Sequence, residues 1–190
     1  MSVTKTLDFS KCFYELVQQN LELLNDLDNA IGDGDHGSNL LKGLEYFKVT
    51  HQTKSYTSEA EIWKDLAMSF LAKVGGASGP LYGSAFLAMA KVVGVQNFGE
   101  VLVTGSNQIK VLGKSDLNQK TMLDVWIPAT SLYQAQKLTV AKIDELVEKT
   151  KLIPAIKGRA SYLGERALGH IDPGSYSTGL MFKAILQAGL

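Results

Sequence analysis

Residues 122–133 read MLDVWIPATSLY and carry the clearest amphipathic pattern in the chain. Apolar side chains recur there every three to four residues, which places them on one face of a helix. Similar spacing is found in the segments 9–24, 63–74, 143–147 and 181–188. Because the chain lacks a convincing alternating run bounded by hairpin turns, the sequence predicts an all-α fold of seven or eight helices.

Local signals indicate where several of these helices begin. Ser58 and Glu61 form a capping-box pattern, in which the serine side chain and the later carboxylate bond the first free amides of a helix. Asp172 followed by Pro173 is typical of an N-cap and the first helical residue. Pro80 suits the first turn of another helix, which begins directly after a glycine-rich stretch.

The composition is that of an ordinary globular domain. The chain has 190 residues, 45% hydrophobic and 20% charged, so we expect a single domain over residues 1–190. Its 19 basic and 19 acidic residues give zero formal net charge, which argues against partners such as nucleic acid or an acidic membrane surface. With one cysteine, no signal-peptide pattern and no membrane-spanning run, we expect a cytoplasmic protein.

Most of the 18 glycines gather in five clusters. These clusters are 32–37, 75–83, 105–113, 158–169 and 174–179. In this interpretation each cluster lies at a junction between two helices, where tight turns and glycine C-caps are needed. Two of the clusters also carry more polar groups than a turn requires, which indicates a functional role.

The first polar cluster places three carboxylates within eight positions, in the sequence LDNAIGDGDHGSN at 27–39. Asp28, Asp33 and Asp35 would repel one another without a cation, and glycines let the backbone fold tightly around one. An EF-hand is excluded, because the twelfth position counted from Asp33 is Leu44. So few carboxylates favour Mg²⁺, which shares its other positions with water and phosphates. A solvated acidic turn is the alternative.

The neighbouring polar groups favour phosphate. His36 is suited to be a metal ligand, a general base, a structural residue or a phosphate donor, and the adjacent acidic cluster favours the last role. Residues 75–80, GGASGP, precede a helix, so their free amides and the Ser78 hydroxyl suit an anion. Ser78 is not in a nucleophile elbow, because Pro80 stands where glycine is needed. The tail Gly113-Lys114-Ser115 fails as a Walker A motif, because the first glycine is absent.

Taken in order, five motifs resemble the nucleotide-binding L subunits (DhaL) of bacterial dihydroxyacetone kinases. They span almost the whole chain, which makes the resemblance specific. The motifs are LDNAIGDGDHG at 27–37, GGASGPLYG at 75–83, KTMLDVW at 120–126, KGRASYLGER at 157–166 and GHIDPG at 169–174. The resemblance implies a single-domain barrel of eight antiparallel helices, with nucleotide, ADP or ATP, bound across one rim.

The resemblance also implies the roles of individual residues. Asp28, Asp33 and Asp35 would hold Mg²⁺ ions that bridge the nucleotide phosphates. A diphosphate of about −3 and three aspartates leave roughly −4 with one Mg²⁺ and roughly −2 with two, so we expect two ions. The other implied nucleotide contacts are His36, Gly37, Ser38, Asn39, Ala77, Ser78, Gly113 beside the base, Met122 beside the adenine, Arg159 at phosphate charge, Asp172, Pro173 and Gly174.

One stretch departs from the family pattern. Asn118-Gln119 stands where the family commonly has Gly-Asp, directly before the Lys-Thr of the third motif. We therefore expect a less tight turn there and no contribution from that aspartate.

The resemblance implies a relay between subunits. In the family, a K subunit holds dihydroxyacetone, and the L subunit presents the γ-phosphate to it. Either ADP stays bound and an M subunit of the phosphotransferase system rephosphorylates it, or ATP exchanges as a substrate. The bare L-type chain favours the first version, and family L subunits can also contact a transcription regulator. Two alternatives stay open, namely an L-type domain that serves another kinase and a non-catalytic nucleotide-binding regulator.

Overall fold

A computed structural model describes residues 2–190. These residues form nine α-helices. Two 3₁₀ segments, Thr150–Leu152 and Arg159–Ala167, lie between the eighth and the ninth helix. The helices are α1 (Val3–Gln19), α2 (Leu21–Ile31), α3 (His36–Gln52), α4 (Glu59–Lys73), α5 (Ser78–Ala90), α6 (Phe98–Gly113), α7 (Leu123–Gln134), α8 (Val140–Lys149) and α9 (Pro173–Ala188). Across residues 2–190 no strand forms beyond an isolated bridge between Val93 and Gln96. The predicted all-α fold is confirmed.

The helices close into a ring. From α2 to α9, each helix packs against the next along the chain, and α9 packs against α1 to complete the circuit. Apart from the long stretch 150–172 between α8 and α9, short connections join the neighbours, as in an antiparallel up-and-down bundle. Only Asn20 separates α1 from α2, and counting them as one bent helix gives eight over residues 2–190. Within that range, none of the helices is long and apolar enough to cross a membrane.

Side-chain caps begin two of the helices at the predicted residues. Ser58 Oγ accepts a hydrogen bond from the Glu61 amide at 3.3 Å, and the Glu61 carboxylate accepts one from the Thr57 amide. Asp172 Oδ2 accepts from the Ser175 amide at 2.6 Å at the start of α9. Each cap satisfies an amide that has no partner within its helix, so the local sequence determines both starting points.

Aromatic side chains fill the centre of the ring. The fully buried ones include Phe9, Phe13, Trp63, Phe70, Tyr82, Phe86 and Trp126. The rings of Phe70 and Phe86 meet edge to face at 5.2 Å between centroids, a geometry worth about 1 kcal/mol beyond area burial. Leu23 and Leu71 share the apolar spacing of the segments 9–24 and 63–74, which predicts one buried face, yet they are 44% and 43% exposed. The break at Asn20 resets the helical register before Leu23, and Leu71 instead covers Gly83 from outside.

The prediction that every glycine cluster marks a helix junction is wrong. Gly79, Gly83, Gly105 and Gly179 lie inside helices. A Cβ at Gly105 would come within 2.9 Å of both the Met89 sulfur and the Trp126 ring. These glycines let neighbouring helices approach closely, and a sequence pattern does not separate that use from a turn.

Candidate functional site

The acidic cluster forms where α2 ends and α3 begins. Asp28 lies in the last turn of α2, and its Oδ2 accepts hydrogen bonds from the amides of Asp35 at 2.9 Å and His36 at 3.1 Å. One carboxylate oxygen from each of Asp28, Asp33 and Asp35 lies within 4.8 Å of the others. Three hard oxygen donors at this separation fit a divalent cation such as Mg²⁺.

Two glycines make this loop possible. A Cβ at Gly32 would lie 2.1 Å from Asp28 Oδ1, which is shorter than any real contact. Gly34 has φ +79°, a left-handed conformation that residues with a Cβ rarely adopt. The first glycine therefore gives the Asp28 carboxylate its space, and the second turns the chain back so that Asp35 reaches the cluster.

Arg159 belongs to the second 3₁₀ segment and forms an ion pair with the acidic cluster. Its guanidinium Nη1 lies 2.5 Å from Asp33 Oδ2, while its side chain remains 60% exposed. The Asp33 carboxylate is thus neutralised by a cation from another part of the chain. Arg159 is in position to meet either the acidic cluster or a phosphate bound beside it.

His36 is buried at the start of α3 and held by two hydroxyls. Its Nε2 lies 2.9 Å from Ser177 Oγ and its Nδ1 lies 3.2 Å from Ser78 Oγ. Burial lowers the pKa of His36 to about 4, against the opposing effect of nearby Asp35. The ring is therefore neutral near pH 7. With both nitrogens bonded to hydroxyls, a hydrogen-bonding role is favoured over metal ligation.

An open cleft at one rim of the ring brings most of the predicted residues together. Those that line it are Asp28, Asp33, Asp35, His36, Ala77, Ser78, Met122, Arg159, Asp172, Pro173 and Gly174. The N-cap residues of α3, α5, α7 and α9 are all among them, because alternate helices of an antiparallel ring begin at the same end. Each helix N-terminus carries about half a positive charge, so their convergence suits a polyanion.

The remaining four predicted contacts lie outside the lining of the cleft. Gly37 packs against α2, where a Cβ would be 2.7 Å from a backbone oxygen. The Ser38 amide and hydroxyl are bonded to an asparagine side chain of α2. Asn39 lies against Gly75, and Gly113 lies behind a leucine of the cleft wall. Their roles as nucleotide contacts stay predictions.

Gly75 and Gly76 of the predicted anion loop also line the cleft. The cleft contains residues that the sequence did not single out as well, and they include Ile31, Tyr82, Lys120, Thr121, Lys157 and Gly158. Lys120 is the least expected, because its side chain is 1% exposed. Its presence in the KTMLDVW motif was the available signal, but no local pattern distinguishes a buried lysine from the usual exposed one.

Two hydrogen bonds to one side chain hold the turn at residues 118–121, where a less tight turn than the family's was expected. Asn118 has φ +61°, a conformation that asparagine tolerates better than most residues. The Asp124 carboxylate accepts hydrogen bonds from the amides of Asn118 and Thr121. Asparagine therefore makes this left-handed turn without glycine.

A family model described as the DAK2 domain matches residues 30–187. The chain belongs to the DAK2 family. The recognition made from the five motifs is thereby confirmed, as is the helical architecture that it implied.

Relatives in this family resemble the chain over nearly its full length. It is 46% identical over 180 residues to "PEP-dependent dihydroxyacetone kinase 1, ADP-binding subunit DhaL" of Listeria innocua, covering 92% of this chain and 91% of that protein. It is 38% identical over 188 residues to the "PTS-dependent dihydroxyacetone kinase, ADP-binding subunit DhaL" of Lactococcus lactis, covering 98% of both.

A solved structure shares the DAK2-family fold. The dihydroxyacetone kinase of C. freundii in complex with AMP-PNP and Mg²⁺ superposes with a TM-score of 0.81 at 25% identity, covering 98% of this chain. The match covers 34% of that kinase chain, so the present chain spans about a third of its length.

Proposed function

We propose that the chain is the ADP-binding L subunit of a phosphotransferase-system-dependent dihydroxyacetone kinase. The observation that carries the proposal is the placement of three carboxylates, within 4.8 Å of one another, beside converging helix N-termini. A nucleoside diphosphate with Mg²⁺ matches this arrangement of negative side chains and positive helix ends. Relatives whose names state this role support the choice.

The acidic cluster would hold two Mg²⁺ ions against the phosphates. Asp28, Asp33 and Asp35 supply the carboxylate oxygens, and a second ion reduces the residual charge from roughly −4 to roughly −2. When bound, Mg²⁺ neutralises phosphate charge and orients the phosphates. Ser78 and neutral His36 lie where they would donate or relay hydrogen bonds to the diphosphate.

The rest of the nucleotide would lie along the cleft toward Met122. The apolar Met122 side chain would contact the adenine, and Asp172–Gly174 would follow the ribose and phosphates. Arg159 would leave Asp33 to stabilise charge on the transferred phosphoryl group. Transfer of this kind depends on positioning and charge neutralisation, so this chain need not supply a nucleophile.

Dihydroxyacetone would be held by a separate K subunit, and a phosphotransferase-system M subunit would rephosphorylate the bound ADP. Three exposed apolar side chains of residues 150–170, the stretch that carries the cleft residue Arg159, support docking there: Leu152, Ile156 and Tyr162 are 81%, 55% and 87% exposed. We propose that the K subunit covers them when it brings the acceptor to the γ-phosphate. A transcription regulator would be a further partner, and this assembly would operate in the cytoplasm.

Native mass spectrometry of the purified, extensively desalted chain tests the proposal. We expect retained ADP with two Mg²⁺ ions in the wild-type protein. Asp33→Asn should lose both while far-UV circular dichroism keeps its helical signal, because Asp33 is a partly exposed loop residue. Asp144→Asn is the matched control. The Asp144 carboxylate also pairs with one cation, Lys183, but Asp144 lies on α8 and does not line the cleft. This variant should retain the ligands.

The other outcomes separate the alternatives. An empty chain that takes up ATP on addition would point to an exchangeable-ATP kinase domain for this or another acceptor. Retained ADP without phosphoryl transfer to dihydroxyacetone, in the presence of K and M subunits, would point to a non-catalytic regulator. A chain that binds no adenine nucleotide in either condition would overturn the proposal.

A further inference from the structure

Lys120 lines the cleft, yet the proposed chemistry gives it no role. Its side chain is buried, and Nζ donates hydrogen bonds to the backbone oxygens of Thr150 at 2.6 Å and His170 at 2.5 Å. Burying an ammonium is unfavourable unless hydrogen bonds compensate for lost water. Its backbone also has φ +59°, which is strained for a residue with a Cβ. Lys120 therefore combines two unfavourable contributions to the free energy of folding, a buried charge and a strained backbone.

The two oxygens that Lys120 binds belong to the two ends of one segment. Thr150 begins and His170 ends the stretch 150–170, which contains both 3₁₀ segments and Arg159. The same ends are joined by the Gly169 amide, which donates to the Lys151 oxygen at 2.9 Å. We call residues 150–170 the pinned segment. Lys120 is the side chain that fastens both of its ends to the body of the protein.

Further bonds connect this fastening to the rest of the cleft. The Asp172 amide donates to Thr150 Oγ1 at 3.2 Å, and Ser175 Oγ donates to the Thr121 oxygen at 2.8 Å. The turn that carries Lys120 thus joins the base of the pinned segment to the first turn of α9. These connections link Lys120 to the positions of Arg159 and Asp172 without direct contact with a phosphate.

We infer that Lys120 is a positioning residue for nucleotide binding, which holds Arg159 and the Asp172–Gly174 turn in place through the two ends of the pinned segment. The inference rests on the proposed function, because its ligand is Mg²⁺-ADP. A lysine that only stabilised the fold would weaken every binding event together when removed. A positioning lysine affects two binding events in opposite directions.

These opposite directions follow from the Arg159–Asp33 ion pair. In Lys120→Met, the pinned segment loses the two hydrogen bonds from Lys120 and keeps the others at its ends, so Arg159 is held less firmly against Asp33. Mg²⁺ then competes with a weaker Arg159–Asp33 ion pair for the acidic cluster. ADP, in contrast, loses binding surface, because the pinned segment beside it is less ordered. We expect Mg²⁺ alone to bind about two- to fivefold more tightly, the range of one exposed ion pair. We expect Mg²⁺-ADP to bind at least about tenfold more weakly, as when supporting residues of a site are removed.

Isothermal titration calorimetry on the nucleotide-free full chain measures both affinities, with Mg²⁺ alone and with ADP in saturating Mg²⁺. Lys5→Met is the matched control, because Lys5 Nζ also donates to a backbone oxygen, that of Gly189 at 2.7 Å, at an exposed site. It should leave both affinities unchanged. Lys120→Gly provides a second variant, which relieves the strained φ while removing the ammonium. Like Lys120→Met, it should strengthen the binding of Mg²⁺ alone and weaken the binding of Mg²⁺-ADP.

Arg159→Ala separates positioning from simple loss of a nearby positive charge. In that background, Lys120→Met should no longer improve Mg²⁺ binding, because there is no guanidinium left to release. A persisting gain would assign the effect to charge alone and overturn the inference. So would unchanged ADP affinity in the Lys120 variants, or equal weakening of both ligands. A wild-type chain that fails to bind ADP would instead overturn the proposed function.

Discussion

The acidic wall of the cleft, residues 28–36, comprises the last turn of α2, a short loop and the first residue of α3, whereas the pinned segment, residues 150–170, contains only short 3₁₀ helices. The acidic wall is held by bonds within its own loop, from the amides of Asp35 and His36 to the Asp28 carboxylate. The pinned segment is held at its ends by Lys120, which is 30 and 50 positions distant from its two partners.

This difference indicates a division of labour between the two walls. Short-range bonds and buried side chains fix the acidic wall before any ligand arrives, as a site for a hard cation requires. The pinned segment has exposed side chains, and among them the Arg159 side chain is 60% exposed, so it has room to change partner when phosphate binds. Changes to the acidic wall should therefore remove binding, and changes to the pinned segment should adjust it.

The largest effect is expected from adding one methyl group to the acidic wall. In Gly32→Ala, the new Cβ would lie 2.1 Å from Asp28 Oδ1, so the carboxylate must move away from its cation-binding position. We expect Mg²⁺-ADP affinity to fall about 100-fold, as for loss of a well-placed metal ligand or its support. Equilibrium dialysis with labelled ADP at fixed Mg²⁺ measures the change.

Gly164→Ala is the corresponding change in the pinned segment. Gly164 has φ +57° and ψ −128° and no atom within 4 Å of an added Cβ, so alanine there introduces backbone strain of about 1–3 kcal/mol without a collision. We expect less than about a fivefold change in ADP affinity. Equal losses in the two variants would show that the walls are not built differently.

The same difference explains which features the sequence could predict. The caps at Ser58 and Asp172 and the grouping of three aspartates depend on residues a few positions apart, so local patterns sufficed. Lys120 and Ser177 were missed because their partners lie 30 to 141 positions away. Such contacts depend on how the ring closes, which periodicity alone does not specify.

The glycines also show that local sequence patterns do not predict contacts between residues distant in the chain. Gly34 was correctly placed in a tight turn, because its neighbours are polar and short. Gly105 was placed at a junction, although it lies in the middle of α6 beneath Met89 and Trp126. What distinguishes the two is the identity of the packed neighbours, which are 16 and 21 positions away from Gly105. The resemblance to a family supplied the long-range information that the residues did not.

An effect smaller than that of Gly32→Ala is expected from pH, and it tests whether the acidic wall is rigid around His36. Burial lowers the pKa of His36 from 6.5 to about 4. Between pH 6.5 and 4, His36 is therefore protonated in the unfolded chain and neutral in the folded chain. The free energy of unfolding falls as pH decreases through this range. At pH 5 the loss should reach about 2 kcal/mol relative to pH 7.5.

Urea unfolding of the metal-free chain at pH 7.5 and pH 5 measures this loss, with His36→Gln as the control. Glutamine does not titrate, so the variant should lose about 2 kcal/mol less than the wild type between the two pH values. Because other groups titrate in the same range, the difference between the two proteins is the relevant quantity. Identical pH dependence would mean that the ring opens to water and that this part of the wall is mobile.

An effect smaller than that of pH, and the one that best separates the two walls, is expected from Arg159→Ala. In the chain without nucleotide, Arg159 pairs with Asp33 and thus competes with Mg²⁺ for one of its ligands. Because exposed ion pairs contribute at most about 1 kcal/mol, its removal should strengthen Mg²⁺ binding by about two- to fivefold. Calorimetric titration with Mg²⁺ alone measures the gain, and unchanged or weaker Mg²⁺ binding would mean that the ion pair does not compete.

With nucleotide bound, the same substitution should act in the opposite direction. The phosphates replace Asp33 as the partner of the guanidinium in the proposed function, so transfer should slow more than ADP binding weakens. A rate assay with K and M subunits, compared with ADP affinity, separates the two effects. If turnover stayed normal, Arg159 would be a surface residue that pairs with Asp33 without serving the reaction. If Arg159→Ala both strengthens Mg²⁺ binding and slows transfer, the Arg159 guanidinium pairs with Asp33 in the free chain and with a phosphate of the nucleotide when the nucleotide is bound.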